Sequence, residues 1–321
     1  MIYSDFNIYK YMMDHVSYIY DNFKRPVNSL RLQVNAICNY NCMFCHMEGT
    51  DRNLSYMTPD EIERVVRVAA SFGVSRIKIT GGEPLLRHDI IDIIKRIKRH
   101  VDDISMTTNG VMLHKLAYEL KDAGLKRINI SMHALNDNDY LKITGNTRNF
   151  RPEVIDGIKS AHLAGLEPVK VNFVVLKGIN DDKINDMMDF CLENDAVLQL
   201  IEYEAPRNME NSYEYIKYHV DLRNINDDLM KKSIEYKKNT LHNRPVYSIP
   251  WKDGMVRVEV VMPMHNSDFC MHCTRLRVTA DGKFKTCLLR DNDYFDIKSF
   301  DDDYLRDLYI KAVKNRIPYW R

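Results

Sequence analysis

The sequence predicts an α/β protein, a partial (β/α)6 barrel of the TIM type followed by a smaller α+β domain. Up to about residue 204, short apolar or β-branched runs alternate with longer segments of helical periodicity. Six such repeats occur, fewer than the eight that close a full TIM barrel, and an open doubly wound sheet is the alternative. After about residue 205 the pattern becomes polar, tyrosine-rich and irregular, which indicates the second domain.

Each predicted strand is separated from the next by a helical segment with its own boundary signals. The motif T-P-D-E beginning at Thr58 is a capping box with proline at the first helical position. Gly124 and Gly165 each follow a helical pattern, where glycine commonly ends a helix in the left-handed conformation. The predicted strands are 30–37, 75–80, 103–107, 127–131, 168–176 and 197–203.

These patterns divide the chain into three parts. Residues 1–28 form an N-terminal extension, residues 29–205 the partial barrel and residues 206–321 the C-terminal domain. In the last part, 255–261 predicts a strand, and segments 275–279 and 283–288 flank the turn A-D-G, which indicates a hairpin. A helix is predicted around 302–314.

Composition and charge disfavour several classes of protein. Lysines and arginines number 46 against 45 acidic residues, a formal net charge of +1, which disfavours nucleic-acid binding through bulk positive charge. The chain has no run of about 18 apolar residues and no signal-peptide pattern, so we expect a cytoplasmic protein that contacts neither membrane nor nucleic acid. Its seven cysteines are an odd number, and a chain of 321 residues needs no disulfides to fold.

The first of two cysteine triplets follows the first predicted strand with the spacing C-x3-C-x2-C, at Cys38, Cys42 and Cys45. Three thiolates this close can bind three irons of a 4Fe–4S cluster and leave the fourth iron open. A zinc site completed by His46 is the alternative, because structural zinc normally has four protein ligands. The next strand ends in G-G-E-P at 81–84, where paired glycines allow close approach of backbone to a ligand, and the combination favours the cluster.

Together these two motifs resemble the radical S-adenosylmethionine (SAM) superfamily. The resemblance implies that the amino and carboxylate groups of SAM chelate the open iron, and that the reduced cluster cleaves SAM to a 5′-deoxyadenosyl radical. An isolated threonine or serine is more often a helix cap or turn residue. Thr107 and Ser131, however, lie at the ends of two neighbouring predicted strands. The implied SAM-binding residues are Phe44 near the adenine, Gly81, Gly82 and Glu83 near the methionine part, and Thr107 and Ser131 at the ends of the third and fourth strands.

The second triplet has the spacing C-x2-C-x13-C and consists of Cys270, Cys273 and Cys287. A zinc ribbon completed by His265 or His272 is one interpretation. Arg275 and Arg277 occupy alternate residues of the following strand and therefore face the same side. Because guanidinium groups bind phosphate oxygens bidentately, this pair indicates an anionic ligand beside the metal site.

The two triplets and the strand motifs between them resemble the GTP 3′,8-cyclase family of molybdenum-cofactor biosynthesis over nearly the whole chain. The similarity extends from D-N-F-K-R-P-V-N-S-L-R at 21–31 to T-R-L-R-V-T-A-D-G-K at 274–283. It implies a second 4Fe–4S cluster on the second triplet, with an open iron that binds guanine. It also implies that the radical removes the ribose C3′ hydrogen of GTP and that C3′ attacks C8, which gives (8S)-3′,8-cyclo-7,8-dihydroguanosine 5′-triphosphate.

The same resemblance implies residue roles and partners. It implies that the three cysteines of the first triplet, together with Arg275 and Arg277, take part in catalysis. A triphosphate needs a cationic pocket even though the net charge is near zero, and the implied substrate-binding residues are Arg31, Arg76, Lys170, Arg275 and Arg277. The implied partners are GTP, an electron donor that is a reductant protein or a small molecule, and a downstream pterin-forming enzyme. A homodimer is a further expectation.

Several features depart from the family pattern. Gln199 stands where the bacterial pattern has an arginine before Ile-Glu-Tyr, and the turn Ser-Leu-Asp appears as S-M-H at 131–133. The chain ends R-I-P-Y-W-R at 316–321, without the Gly-Gly tail of many members. The alternatives are a radical SAM enzyme acting on a peptide or another nucleotide, and a non-catalytic zinc-binding protein. The seventh cysteine, Cys191, lies in an apolar helical segment and is predicted to be a core thiol.

Overall fold

A single curved sheet organises the protein in the computed structural model, which describes residues 18–50, 55–291 and 293–321. Its strands in chain order are β1 (Ser29–Gln33), β2 (Arg76–Thr80), β3 (Asp103–Thr108), β4 (Arg127–Ser131), β5 (Val169–Val175), β6 (Val197–Glu202), β7 (Glu235–Asn239), β8 (Arg244–Trp251), β9 (Gly254–Val261), β10 (Arg275–Val278), β11 (Lys283–Lys285) and β12 (Tyr294–Asp296). All twelve belong to the same sheet, in the order β12-β11-β10-β1-β2-β3-β4-β5-β6-β9-β8-β7.

Helices lie between many of these strands, and the last helix follows β12. They are α1 (Pro59–Ser71), α2 (Ile90–Ile97), α3 (Leu113–Ala123), α4 (Asp137–Thr144), α5 (Arg151–Leu163), α6 (Ile184–Glu193), α7 (Tyr213–Tyr218), α8 (Arg223–Lys232), α9 (Ser267–Met271) and α10 (Asp302–Lys314). The predicted capping box at Thr58 forms, and Gly124 and Gly165 adopt φ of 118° and 74° where their helices end. None of the described helices combines the length and apolar character that crossing a membrane requires.

The six predicted barrel strands are confirmed, and strands from the C-terminal third extend the same sheet at both edges. β10 pairs in parallel with β1, and β9 pairs in parallel with β6. The predicted hairpin forms as the antiparallel pair of β10 and β11. Eight consecutive parallel strands therefore run from β10 to β9, between antiparallel strands at each edge.

Alternation along the strands separates the apolar core from a polar interior. In β1, Leu30 and Leu32 are fully buried in the core, whereas Arg31 lines a cavity on the opposite face. The same alternation in β2 buries Ile77 and Ile79 in the core. The concave side of the curved sheet therefore carries polar and charged side chains in a row of neighbouring strands. Cys191 is fully buried in the core, as predicted.

Candidate active site

One cavity of about 630 Å³ occupies the concave side of the sheet, a volume ordinary for a small-molecule site. Every site residue predicted from the sequence lines it. These residues are Arg31, Cys38, Cys42, Phe44, Cys45, Arg76, Gly81, Gly82, Glu83, Thr107, Ser131, Lys170, Cys270, Cys273, Arg275, Arg277 and Cys287.

The two cysteine triplets lie at opposite ends of this cavity. The first triplet follows the carboxyl end of β1. Cys273 precedes the amino end of β10, which is the parallel neighbour of β1 with Ser29 opposite Arg275. Cys287 follows β11, which runs antiparallel to β10 and so ends at the same side. Five strand residues at about 3.3 Å each therefore separate the two ends by roughly 16 Å along the strand direction.

The thiols of the first triplet influence one another electrostatically. Burial, together with the neighbouring Cys45 and Cys38, raises the pKa of Cys42 to about 12. Burial also raises the pKa of Cys287, in the second triplet, to about 11. Because iron binds the thiolate form, loading of either triplet must release protons.

The G-G-E-P motif packs directly against the loop that carries the first triplet. A Cβ on Gly82 would lie 2.2 Å from the carbonyl oxygen of Ile37, and one on Gly81 would lie 2.3 Å from Oδ1 of Asn35. The backbone N–H of Glu83 donates to the Ile37 carbonyl at 2.7 Å. The paired glycines therefore let the end of β2 dock on the cysteine loop.

Glu83 is fully engaged by protein donors. Its Oε1 accepts from Oγ1 of Thr108 at 2.7 Å and from the backbone N–H of Leu85 at 2.9 Å, and its Oε2 accepts from the backbone N–H of Asn109 at 2.6 Å. Burial nonetheless raises the pKa of this carboxyl. Glu83 thus ties the loop after β2 to the loop after β3, at the end of the cavity that holds the first triplet.

The other predicted SAM-binding residues lie at this same end. Phe44 makes an edge-on contact with the ring of His133, with 4.7 Å between ring centroids. The Nδ1 of His133 accepts from the backbone N–H of Val174 at 3.0 Å, so the His133 ring is a fixed part of the wall. Thr107 and Ser131 line the cavity on β3 and at the end of β4.

Residues from both ends of the chain hold the second triplet. Arg25 donates from Nη1 to the carbonyl of Cys270 at 2.8 Å. Arg316, which is 1% exposed, donates to the carbonyls of Cys273 and Arg25. The backbone N–H of Trp320 donates to the Sγ of Cys270 at 3.4 Å. From the C-terminal tail, residues 316–320, the side chains of Ile317, Tyr319 and Trp320 line this end of the cavity.

The histidines that would complete zinc sites have other partners. His46 Nδ1 accepts from the backbone N–H of Glu48 at 3.0 Å. His265 pairs through Nε2 with Oε2 of Glu210 at 2.7 Å, and His272 Nδ1 lies 2.9 Å from the carbonyl oxygen of Asp268. Across the described ranges, no three Cys, His, Asp or Glu side chains converge tightly enough to hold a single metal ion. Each end of the cavity offers three cysteines, a donor set that fits a 4Fe–4S cluster with one open iron.

Between the triplets, Glu48 joins two of the predicted substrate-binding arginines. Arg31 donates from Nε to Oε1 of Glu48 at 2.8 Å, and Arg277 donates from Nη1 to Oε2 at 2.6 Å. Burial alone would raise the pKa of Glu48, but the two arginines outweigh it and hold the pKa well below its usual range. One carboxylate therefore faces two guanidinium groups, and these three side chains together keep a net positive charge.

Glu259 joins a second pair of cations. Lys170 donates from Nζ to Oε2 of Glu259, and Nη2 of Arg244 lies 2.9 Å from Oε1. Burial alone would raise the pKa of Glu259, but Arg244 and Lys170 lower it to about 2. Gln199 lies opposite Glu259 in the register of β6 and β9, and its Oε1 accepts from Nδ2 of Asn129 at 3.3 Å.

Lys78, Arg127 and Arg244 are cavity cations that the sequence analysis did not identify. The sequence could have indicated Lys78, because Arg76, Lys78 and Thr80 are alternate residues of β2 and therefore face the same side. Burial and the neighbouring Arg31 and Lys170 lower the pKa of Lys78 well below the usual range. Arg244 has no such signal, because β8 was not predicted.

Comparisons with known proteins identify the family. Residues 32–191 match the family model described as the radical SAM superfamily, and residues 196–321 match the model described as Molybdenum Cofactor Synthesis C. A probable GTP 3′,8-cyclase from Thermoplasma volcanium is 52% identical over 94% of this chain and 92% of its own length. The chain belongs to the GTP 3′,8-cyclase family of radical SAM enzymes. The family's probable cyclases from Thermococcus kodakarensis and Methanocaldococcus jannaschii are 47% and 41% identical, over 94% of this chain and 100% and 99% of theirs.

Solved structures agree with the fold of this radical SAM enzyme. Streptococcus suis SuiB bound to precursor peptide SuiA superposes with a TM-score of 0.66 at 17% identity, over 93% of this chain and 69% of that chain. Native anSMEcpe with bound AdoMet superposes with a TM-score of 0.57 at 16% identity, over 90% of this chain and 81% of that chain. At such identities the likeness shows the fold alone.

Proposed function

We propose that this radical SAM enzyme is a GTP 3′,8-cyclase with two 4Fe–4S clusters. One observation carries the proposal: two three-cysteine sites face each other through one cavity, and the wall between them is lined by arginines and lysines. An open iron at each end leaves room for SAM at the first triplet and for the base of a nucleotide at the second. The relatives named as probable GTP 3′,8-cyclases support GTP as the substrate.

The chain's own residues bind, orient and enclose the reactants. Cys38, Cys42 and Cys45 would hold the cluster that, together with SAM, would supply the chemistry for removing a hydrogen from C3′ of GTP, and Cys270, Cys273 and Cys287 would hold the second cluster. The cations on β1, β2, β5 and β10 supply the charge that a triphosphate needs, and Glu48 and Glu259 orient four of the cavity cations. Phe44, Thr107 and Ser131 line the SAM end. The C-terminal tail restricts solvent at the nucleotide end.

The decisive experiment is anaerobic turnover. Reconstituted protein is expected to hold about eight irons per chain. With SAM, reductant and GTP deuterated at C3′, it should form 5′-deoxyadenosine that carries the deuterium and a cyclised nucleotide isomeric with GTP, both measured by mass spectrometry. Deoxyadenosine without any change in GTP would contradict the substrate and leave another nucleotide or a peptide. Four irons plus bound zinc would contradict the second cluster.

A matched pair of cysteine variants separates the second cluster from general effects of losing a thiol. Cys270→Ala removes a predicted ligand, whereas Cys191→Ala removes the fully buried core thiol. We expect Cys270→Ala to abolish cyclised product and lower the iron content towards about four. Cys191→Ala should keep about eight irons, with only the stability loss of a small core cavity.

A further inference from the structure

We propose that Arg244 binds the triphosphate of the nucleotide and supplies the positive charge that the neutral Gln199 does not. This inference rests on the proposed function, since it names a further substrate-binding residue of the same cavity. It concerns a side chain on β8, outside the strands that carry the cations predicted from the sequence.

The strand register brings Arg244 into the cavity. β8 runs antiparallel to β9, with Val246 opposite Glu259. Arg244 is two residues from Val246 and so projects from the same face of the sheet as that residue. Its side chain is only 13% exposed and lines the cavity together with Lys170 and Gln199.

The hydrogen bonding of Arg244 is incomplete. Nη2 is held 2.9 Å from Oε1 of Glu259, which fixes the direction of the guanidinium plane. Nε is buried, and among the described residues no acceptor lies within hydrogen-bonding distance of it. A buried N–H without an acceptor is costly, so a shift of the guanidinium that brings Nε to an anionic oxygen in the cavity would regain that cost.

The local charge balance also favours an anion. Glu259 carries one negative charge and pairs with both Arg244 and Lys170, so these three side chains keep a net positive charge. Gln199 lies opposite Glu259 in register but adds no charge, and it accepts from Asn129. Arg244 therefore provides a guanidinium beside position 199. Its planar, fixed donors suit phosphate better than guanine, which has no anionic oxygen.

The test measures ligand binding to the cluster-loaded protein under anaerobic conditions by calorimetry, with GTP, guanosine and inorganic triphosphate as probes. Arg244→Gln is expected to raise the Kd for GTP and for inorganic triphosphate by about tenfold to a hundredfold, while the Kd for guanosine stays within about twofold. The Kd of Arg244→Lys for GTP and for inorganic triphosphate should lie between those of Arg244→Gln and the wild type. The matched control is Arg257→Gln, which changes an exposed arginine on β9. It should alter the Kd of none of the three ligands.

A relocated charge provides the second arm. Gln199→Arg combined with Arg244→Gln should recover part of the lost affinity for inorganic triphosphate. If the double variant recovers no affinity for inorganic triphosphate, the idea that Arg244 takes the place of a cation at position 199 is overturned. Equal affinities of wild type and Arg244→Gln for both phosphate ligands, or a parallel loss for guanosine, would overturn the phosphate assignment.

Failure of the proposed function gives a different result. A wild type that binds inorganic triphosphate but not GTP would contradict GTP as substrate, and the effect of Arg244→Gln on inorganic triphosphate would still decide this inference. A wild type that binds neither would overturn both.

Discussion

Several cations of the cavity are strand residues whose neighbours in sequence belong to the core. Arg31 lies between Leu30 and Leu32, and Arg277 lies between Leu276 and Val278, and these four apolar neighbours are buried. A charge in such a position is stable only with a partner, and Glu48 and Glu259 are the partners here. Each glutamate also competes with any anionic ligand for the same cations, so stability and ligand binding oppose each other at these residues.

Glu48→Gln tests this opposition. Removing the charge leaves Arg31 and Arg277 close together without a counter-ion, and we expect the free energy of unfolding to fall by about 3 kcal/mol in urea denaturation. The Kd for inorganic triphosphate should fall too, because the competing carboxylate is gone. Glu119→Gln, at an exposed position of α3, should alter neither quantity. Unchanged stability together with weaker triphosphate binding would contradict this account.

Glu259 predicts a pH dependence of stability. Its pKa is about 2 in the folded protein and close to 4.5 when unfolded, so its contribution is complete above pH 4.5 and is lost as the pH falls towards 2. We therefore expect the difference in unfolding free energy between wild type and Glu259→Gln to narrow by about 1 kcal/mol from pH 6 to pH 4, measured by urea denaturation. A difference that is constant over this range would rule out the low folded pKa.

At the level of elements, the strands position the site and the loops after them supply its chemistry. The first triplet follows β1, G-G-E-P follows β2, and both meet at the carboxyl edge of the parallel sheet. Local patterns predict these strands well, since alternation and capping depend on neighbouring residues. β1 is nevertheless shorter than the predicted 30–37 and ends at Gln33. Beyond it, residues 35 and 37 turn away and bond with the G-G-E-P backbone.

The hairpin of β7 and β8 was not predicted, and its sequence explains why. β7 reads E-Y-K-K-N with four of its five residues exposed, and β8 contains Pro245 and Pro250. Lysines are typical of a strand at a sheet edge, as β7 is, where they discourage further pairing. A proline within an apolar run argues against an inner strand, so the two prolines hide β8, which lies between β7 and β9. Because β8 was not predicted, its first residue, Arg244, was not predicted as a cation of the cavity.

Gly82→Ala tests the docking of two of these elements. The new Cβ would lie 2.2 Å from the Ile37 carbonyl oxygen, so the end of β2 and the cysteine loop must separate. We expect a loss of about 1–3 kcal/mol in stability and less iron at the first triplet, measured by thermal unfolding and colorimetric iron analysis. Gly178→Ala is the comparison, because it has open space around it and only its φ of +67° opposes the change. Equal iron contents in the two variants would disprove a specific docking role.

At the level of the whole molecule, the segment before β1 meets the C-terminal tail at the second triplet. Arg316 lies 3.4 Å from Asp21 Oδ2 and also donates to the carbonyls of Arg25 and Cys273. A single buried guanidinium thus connects the segment before β1, the end of the chain and a predicted iron ligand.

Arg316→Met should break this connection. We expect a loss of about 1–3 kcal/mol in stability, because the carbonyls of Arg25 and Cys273 lose a buried donor while Asp21 keeps Arg25 as its partner, and a fall from about eight irons per chain towards about four. Iron analysis with electron paramagnetic resonance of the reduced protein would assign the loss to the second site. Arg321→Met, at the exposed last residue, is the control. Full iron content in Arg316→Met would show that the second triplet needs no support from the tail.

Local sequence by itself determined most element types and the two triplets, because alternation, helix capping and short cysteine spacings act over a few residues, whereas the set of five predicted cations came from the family resemblance. Only the tertiary structure decided that the triplets face each other from opposite ends of one cavity. It alone brought Glu48, Arg244 and the C-terminal tail into that cavity. These placements depend on the register of β1 with β10 and of β6 with β9, pairs separated by about 60 to 250 residues along the chain. Such register is set by packing and closure of the whole sheet, which no local pattern contains.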